Sequence, residues 1–394
     1  MFKYLFKRDT ILATIGVFIV MGLLSLIPFN THVLDPIKMA LQDFDHNDLA
    51  YSQFHKNSNS SLDTSIVIVN IEDADRARIV ELLEKAAVYQ PAAIGVDVVF
   101  TAPKDSLADS LLMAFFVNNK KAVLAYNLQT DNKGLSPEGF LYSAAANKGF
   151  ANFVGEEGGT IRYFIPAINS FDKTNTRHES FASAIVRIAN PAKVEELQRR
   201  QHRTEQINYS RGVDKYQVIS GQELLADSGQ LYLKGKVLLV GFIAGDAYSI
   251  EDKHFTPLNE KSVGKSVPDM AGIVIHANII GMIQSGHYVN KWPVWLVWVV
   301  AVILCWLHMS LFIRYFIDKH IWFHLVAKIA QLLSAILIVY LGLWFFYKWD
   351  IKINLTPSFV AIILAVDVLY FYEALVAWLH KKFGFHSLFV HHGH

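Results

Sequence analysis

The run Ile66-Val67-Ile68-Val69-Asn70-Ile71 is a continuous apolar stretch rich in β-branched residues, broken by a single amide. A strand buried on both faces reads this way, because polar positions alternate only where one face meets water. Downstream, Arg76–Tyr89 places Ile79, Leu82, Leu83, Ala86 and Ala87 on one helical face, and Pro91 ends the helix. Ala93–Phe100 (AIGVDVVF) reads as a second strand, Ser106–Val117 as a second helix and Ala122–Tyr126 as a third strand. This βαβαβ order predicts an α/β domain with a mostly parallel sheet, right-handed crossovers and flanking helices.

Beyond the third strand the pattern loosens. Phe150–Asn152 and Thr160–Ala167, around the Gly158-Gly159 turn, read as a strand pair, and Ser180–Ala189 as a helix. Residues 191–215 are charged and polar, which predicts an exposed excursion. Lys236–Ile243 (KVLLVGFI) is another buried strand, and Gly272–Ser285 an apolar helix.

Outside this region lie four runs long and apolar enough to cross a bilayer, which takes about 20 helical residues. They are 11–29, 293–313, 321–347 and 355–379. The first follows Lys3, Lys7 and Arg8, as a signal peptide would. It reaches spanning length and no small-residue cleavage site follows it, so it reads as a retained anchor. Trp292, Trp295, Trp322, Trp344, Trp349 and Trp378 sit near span ends, where indole rings anchor at the interface.

Basic residues near the spans set the orientation. Lys3, Lys7, Arg8, Arg314, Lys319, Lys381 and Lys382 fall on one side, against Lys38, Lys291, Lys348 and Lys352 on the other. The expected topology has residues 1–10 and the tail 380–394 in the cytoplasm and 30–292 outside. The mean hydropathy of +0.28 agrees with a chain that is part membrane and part soluble domain.

Composition removes several functions. Thirty-six basic residues against 35 acidic give a net charge of +1, so no global field favours nucleic acid. The one cysteine, Cys305, lies in an apolar run and excludes an intrachain disulfide or a cysteine-based metal site.

Within the domain, Gly235-Lys236-Val237-Leu238-Leu239-Val240-Gly241 is followed by Asp252, Phe255-Thr256-Pro257, then Ala271-Gly272-Ile273-Val274-Ile275-His276-Ala277-Asn278 and Gly286. This order resembles the signature of the CHASE2 domain, an extracytoplasmic sensory module of bacterial signalling proteins. Asp35, Asp97 and Arg162 also resemble that family's pattern. So does the layout of one span, a sensor domain and three further spans. Two features depart from it. Ala271-Gly272 stands where the family often has Pro-Gly, and only about 15 residues follow the last span, where family members usually continue into a kinase or cyclase. The resemblance implies a sensor in the bacterial inner membrane that acts through a separate partner.

Candidate ligand-binding residues are Asp97, Arg162, Asp246, Asp252, His276 and Asn278. Asp97 ends a buried strand, where α/β sheets place binding groups. Gly241–Asp246 (GFIAGD) follows a strand but is neither a Walker A nor a full dinucleotide fingerprint, so it reads as a structural turn. Asp246, Glu251, Asp252 and His254 do not match a calcium-loop spacing, and turn or capping roles suit these carboxylates better than a metal. His276-Ala277-Asn278 reads as structural, with a pH-responsive imidazole as the alternative. The His386…His391-His392-Gly393-His394 tail reads as a solvated end.

Lys328, Asp367 and Glu373 lie inside predicted spans, where ionisable groups are costly and take partners. The expectation is a Lys328–Glu373 or Lys328–Asp367 pair that fixes helix register. The rivals are Asp367 kept for a partner protein, and a proton pathway. No nucleophile–base pair or metal cluster is legible, so neither enzyme activity nor a cofactor is expected. Expected partners are the bilayer, a membrane or cytoplasmic protein, a small extracytoplasmic ligand and a second copy of the chain. The alternative function is a structural or accessory subunit of a larger envelope complex.

Overall fold

A computed structural model describes residues 2–26, 48, 51, 61–131, 134–154, 159–170, 176–245, 249–259, 267–318 and 320–389. The chain divides into two compact units: residues 43–289, and residues 1–42 together with 290–394.

The first unit is built on a mixed sheet. Its elements run β1 (Asp63–Asn70), α1 (Arg76–Val88), β2 (Ala93–Asp97), α2 (Ser106–Asn118), β3 (Ala122–Asp131), β4 (Gly134–Glu138), β5 (Asn147–Phe150), α3 (Phe181–Ala189), α4 (Pro191–Arg199), β6 (Tyr216–Ser220), α5 (Gly221–Ala226), β7 (Val237–Gly241) and α6 (Gly272–Ser285). The strand order is β6-β1-β7-β2-β3-β4, and β5 also pairs with β3. All pairings are parallel except that of β4 with β3.

Local chemistry sets the helix starts. The Asp75 carboxylate accepts from the Arg78 N–H at 2.8 Å and caps α1. Asp105 caps α2 by accepting from Leu107 and Ala108, and the Ser180 and Ser220 hydroxyls cap α3 and α5.

Successive strand side chains point to opposite faces, so the apolar runs feed two cores. Val67, Val69, Ile94, Val96, Leu124, Leu238 and Val240 pack with Ile79, Leu82 and Leu83 of α1 and Leu112 and Phe116 of α2. Each such fully buried side chain contributes roughly 1.5–3 kcal/mol. The opposite face carries α3. There Gly95 is required by close approach, because a Cβ would meet Ile185 of α3, Leu239 Cδ2 at 2.9 Å and Phe181 Cζ at 3.1 Å.

Two expectations change, and one strand is new. Asn147–Phe150 spends its backbone groups on β3, so the expected pair with Thr160–Ala167 is reduced to one antiparallel bridge between Val154 and Tyr163. Tyr163–Phe164 also pairs with Glu205–Gln206, and Ala167–Asn169 with Arg177–Glu179. Residues 191–215 are not an exposed excursion: Val194 and Leu197 of α4, and Ile207 and Tyr209 after it, are buried. The sheet-edge strand β6 was hidden by its short mixed sequence, Tyr-Gln-Val-Ile-Ser.

The second unit holds four helices of spanning length and composition: Arg8–Ser25, Val294–Asp318, Phe323–Trp349 and Thr356–Phe383. They start or end a few residues away from the apolar runs, since helices continue into their charged flanks. The first, second and fourth share a core of Ala13, Val17, Cys305, Met309, Phe312, Ala361, Ala365 and Leu369. The alanines let backbones approach where dispersion, not water exclusion, drives association. The third span joins this core mainly through Phe323 and Ala327 and is otherwise largely exposed.

At one end of this unit the chain's extremities meet. The Tyr372 and Ser387 hydroxyls each donate to Asp9 Oδ1 at 2.7 Å, the Leu388 N–H donates to Asp9 Oδ2 at 3.2 Å, and the Arg8 guanidinium lies 4.2 Å from the Phe385 ring. At the other end Asn290–Lys291 pairs with Ile351–Lys352, which ties the entry of the second span to the turn between the third and fourth.

Candidate functional site

Strands β1, β7 and β2 end at the same level, with Asn70 in register with Gly241 and Gly241 with Asp97. A parallel sheet offers a ligand its loops at this edge. The Asn70 side chain donates from Nδ2 to the Ile243 carbonyl and accepts the Ile243 N–H on Oδ1, both at 2.9 Å. That pair fixes the direction of the loop leaving β7. Gly241 has no room for a side chain, since a Cβ would lie 2.8 Å from Ile273 Cδ1 and 3.1 Å from Asp97 Cβ.

A second clamp sits on α6. Asn278 accepts the Ser210 and Arg211 N–H groups at 3.3 and 3.2 Å, and its amide donates to the Arg211 and Val274 carbonyls at 2.9 and 3.0 Å. A third is the Asp269 carboxylate, which accepts from the Thr256 N–H at 2.9 Å and the Thr256 hydroxyl at 2.5 Å. Burial raises the Asp269 pKa, against the pull of these hydrogen bonds.

The three clamped segments line a half-open cavity of about 670 Å³. Lys215, Lys253, Asp214 and Asp269 supply polar groups to its wall, and Ile243 and Val274 supply apolar surface. The volume suits a small molecule, and the few polar groups suit recognition by orientation.

Beside the cavity lies a coupled set of titratable groups. Burial, and then the charge of Asp252, push the half-buried Asp97 carboxyl up to about 7. Asp252 itself is exposed and adopts a left-handed backbone, φ 54°. His276, on α6, stacks on Phe153 at 4.7 Å and meets Phe181 edge-on at 5.1 Å. Its Nδ1 is buried without a hydrogen-bond partner among the described residues. Burial, and then His254, lower its pKa to about 3, so the ring is neutral at physiological pH. Asp252 Oδ2, His254 Nε2 and Phe153 all lie 3.6 Å from the Cβ position of Gly272, at the start of α6. The set can hold a proton on Asp97 near neutrality. Among the described residues no three His, Cys, Asp or Glu side chains are placed as metal ligands.

The sequence-derived candidates therefore separate. Asp97, Asp252 and His276 come together. Arg162 belongs elsewhere: its Nη2 donates to Asp48 Oδ2 at 2.6 Å and its Nε to both Asp48 oxygens at 3.1 Å, with both residues buried. Asn278 is spent on positioning Ser210 and Arg211. Asp246 lies outside the described residues, as do Asp35, Gly158 and His391 to His394. No ion pair joins Lys328 to Asp367 or Glu373 among the described residues; the polar links between the third and fourth spans are made instead by Tyr370 with His324 and by Gln331. Sequence reasoning missed Asn70, Phe153 and Asp269. For Asn70 the signal was present, as a polar residue closing an apolar strand just as Asp97 closes the next.

The CHASE2 domain profile matches residues 16–312, from within the first span to within the second. No curated protein and no solved structure matches the chain. CHASE2 is a sensory extracytoplasmic domain, and the match covers well over half of the 394 residues. The chain is a member of the CHASE2 domain family.

Proposed function

We propose that the protein is a receptor subunit of the bacterial inner membrane, with residues 30–292 outside the cytoplasm and both termini inside. Its domain binds a small ligand in the cavity at the strand ends, and its spans relay the bound state to a partner protein. The carrying observation is the cavity of about 670 Å³, walled by three segments that Asn70, Asn278 and Asp269 hold in place. Ala271 and Val274 in that wall flank the start of α6, whose far end at Ser285 precedes the second span at Val294. A ligand that distinguishes two arrangements of that wall has a direct covalent route to the membrane. Binding rather than catalysis is the reading, because the titratable set of Asp97, Asp252, His254 and His276 contains no hydroxyl or thiol for a base to activate.

The test is a melting curve of the full chain in detergent against a panel of amino acids, sugars and nucleosides. A compound of this class raises the melting temperature, and Val274→Trp, which fills the cavity, removes the shift. A shift that survives Val274→Trp places the binding elsewhere and contradicts the proposal.

A further inference from the structure

Two polar contacts fix the register between the third and fourth spans. His324 Nε2 lies 3.0 Å from the Tyr370 hydroxyl, and Gln331 Nε2 donates to the Ile362 carbonyl at 2.9 Å. The two helices run antiparallel. Lys328, one turn beyond His324, and Asp367, one turn before Tyr370, therefore stand at the same depth between those contacts. Both side chains are exposed, and among the described residues neither forms an ion pair. Further along the third span, Ser334 Oγ is engaged, 2.9 Å from His308 Nε2. Beside Lys328, Leu325, Ile329, Leu332 and Ile336 are exposed and recur at spacings of four, three and four, the period of a helix-pairing seam.

An opposite pair of charges left open to hydrocarbon is costly, and each member takes a counter-charge at its own depth. We propose that this face is an interface with a second copy of the chain, in which Lys328 of each copy pairs with Asp367 of the other. A two-fold axis along the bilayer normal keeps depth unchanged, so equal depth of the two residues is the condition for such exchange, and the seam meets it. A foreign helix has to bring both signs to that level, whereas a second copy carries both. The inference does not rest on the cavity or its ligand.

Copies of the full chain with two different affinity tags are co-expressed and purified in mild detergent through one tag. Wild-type copies co-purify. Lys328→Asp chains co-purify with their own kind about tenfold less or weaker, and Asp367→Lys chains likewise. Lys328→Asp mixed with Asp367→Lys recovers association to within about twofold, since both exchanged pairs are again of opposite sign. The neutral chain carrying Lys328→Met and Asp367→Asn, checked for folding by its melting temperature, loses association as well. The proposal is overturned if wild-type copies do not co-purify, or if the neutral chain associates like wild type. It is equally overturned if the exchange works only when both substitutions sit in one chain.

Discussion

The Asn70 side chain and the Ile243 backbone satisfy each other with two hydrogen bonds of 2.9 Å, 173 residues apart in sequence. The strand that ends at Asn70 thus dictates where the loop after β7 begins, and that loop is one wall of the cavity. Asn70→Ala leaves the Ile243 N–H and carbonyl without these partners, at a cost of about 1–3 kcal/mol. The expected result is a lower melting temperature and faster proteolysis within residues 242–252, read by mass spectrometry of the fragments.

Arg162 and Asp48 form a buried ion pair with three contacts. Removing one partner strands the other charge, so Arg162→Ala costs about 3–5 kcal/mol in denaturant unfolding of the full chain. Arg162→Lys does not restore the loss, because an ammonium cannot reproduce the guanidinium fork. Ligand affinity measured on the remaining folded protein is unchanged, which separates this residue from the cavity.

Asp97 makes stability fall as pH rises toward neutrality. Its folded carboxyl titrates near 7, whereas an unfolded aspartate titrates near 3.9. The folded chain binds more protons between those values, so this contribution is full below about 4 and is lost as pH rises through about 7. Asp97→Asn removes that decline, and the variant melts higher than wild type at pH 8. His276 has the opposite sign: its folded value of about 3 lies below the ordinary 6.5, so its contribution falls away as pH drops below about 6.5. Melting temperature against pH for the wild type, Asp97→Asn and His276→Gln separates the two limbs.

Asp9 accepts from Tyr372, Ser387 and the Leu388 N–H at one end of the helical unit. Asp9→Ala leaves all three donors without this acceptor and frees the segment after Phe383, for a loss of about 1–3 kcal/mol. Limited trypsin treatment of the detergent-solubilised chain then cuts sooner at Lys381 and Lys382.

The parts of this fold that could be read from the chain were those in which one residue type repeats. Ile66–Val69, Ala93–Val96 and Val237–Gly241 are buried on both faces, and their unbroken apolar runs announce it. The four spans are legible for the same reason. Strand β6 was not, because an edge strand with mixed burial has no period to detect. Helix α4 looked exposed because only Val194 and Leu197 turn inward among charged neighbours. At the site, Asp97, Asp252 and His276 could be named, but their convergence depends on β7 placing Gly241 between β1 and β2, which is a matter of topology. Arg162 matches the sensor-family pattern, but its ion-pair partner Asp48 lies 114 residues away in sequence, a pairing that no local pattern announces.

The orientation of the chain across the bilayer decides whether its domain can act as a receptor, and cysteine labelling reads it directly. In a Cys305→Ala background, single cysteines replace Val213, which is 45% exposed in the globular unit, and Lys381, exposed at the end of the fourth span. A membrane-impermeant maleimide applied to osmotically stabilised spheroplasts is predicted to label the cysteine at position 213 at once and the one at position 381 only after the membrane is opened. Labelling in the reverse order puts the domain in the cytoplasm and contradicts the receptor account.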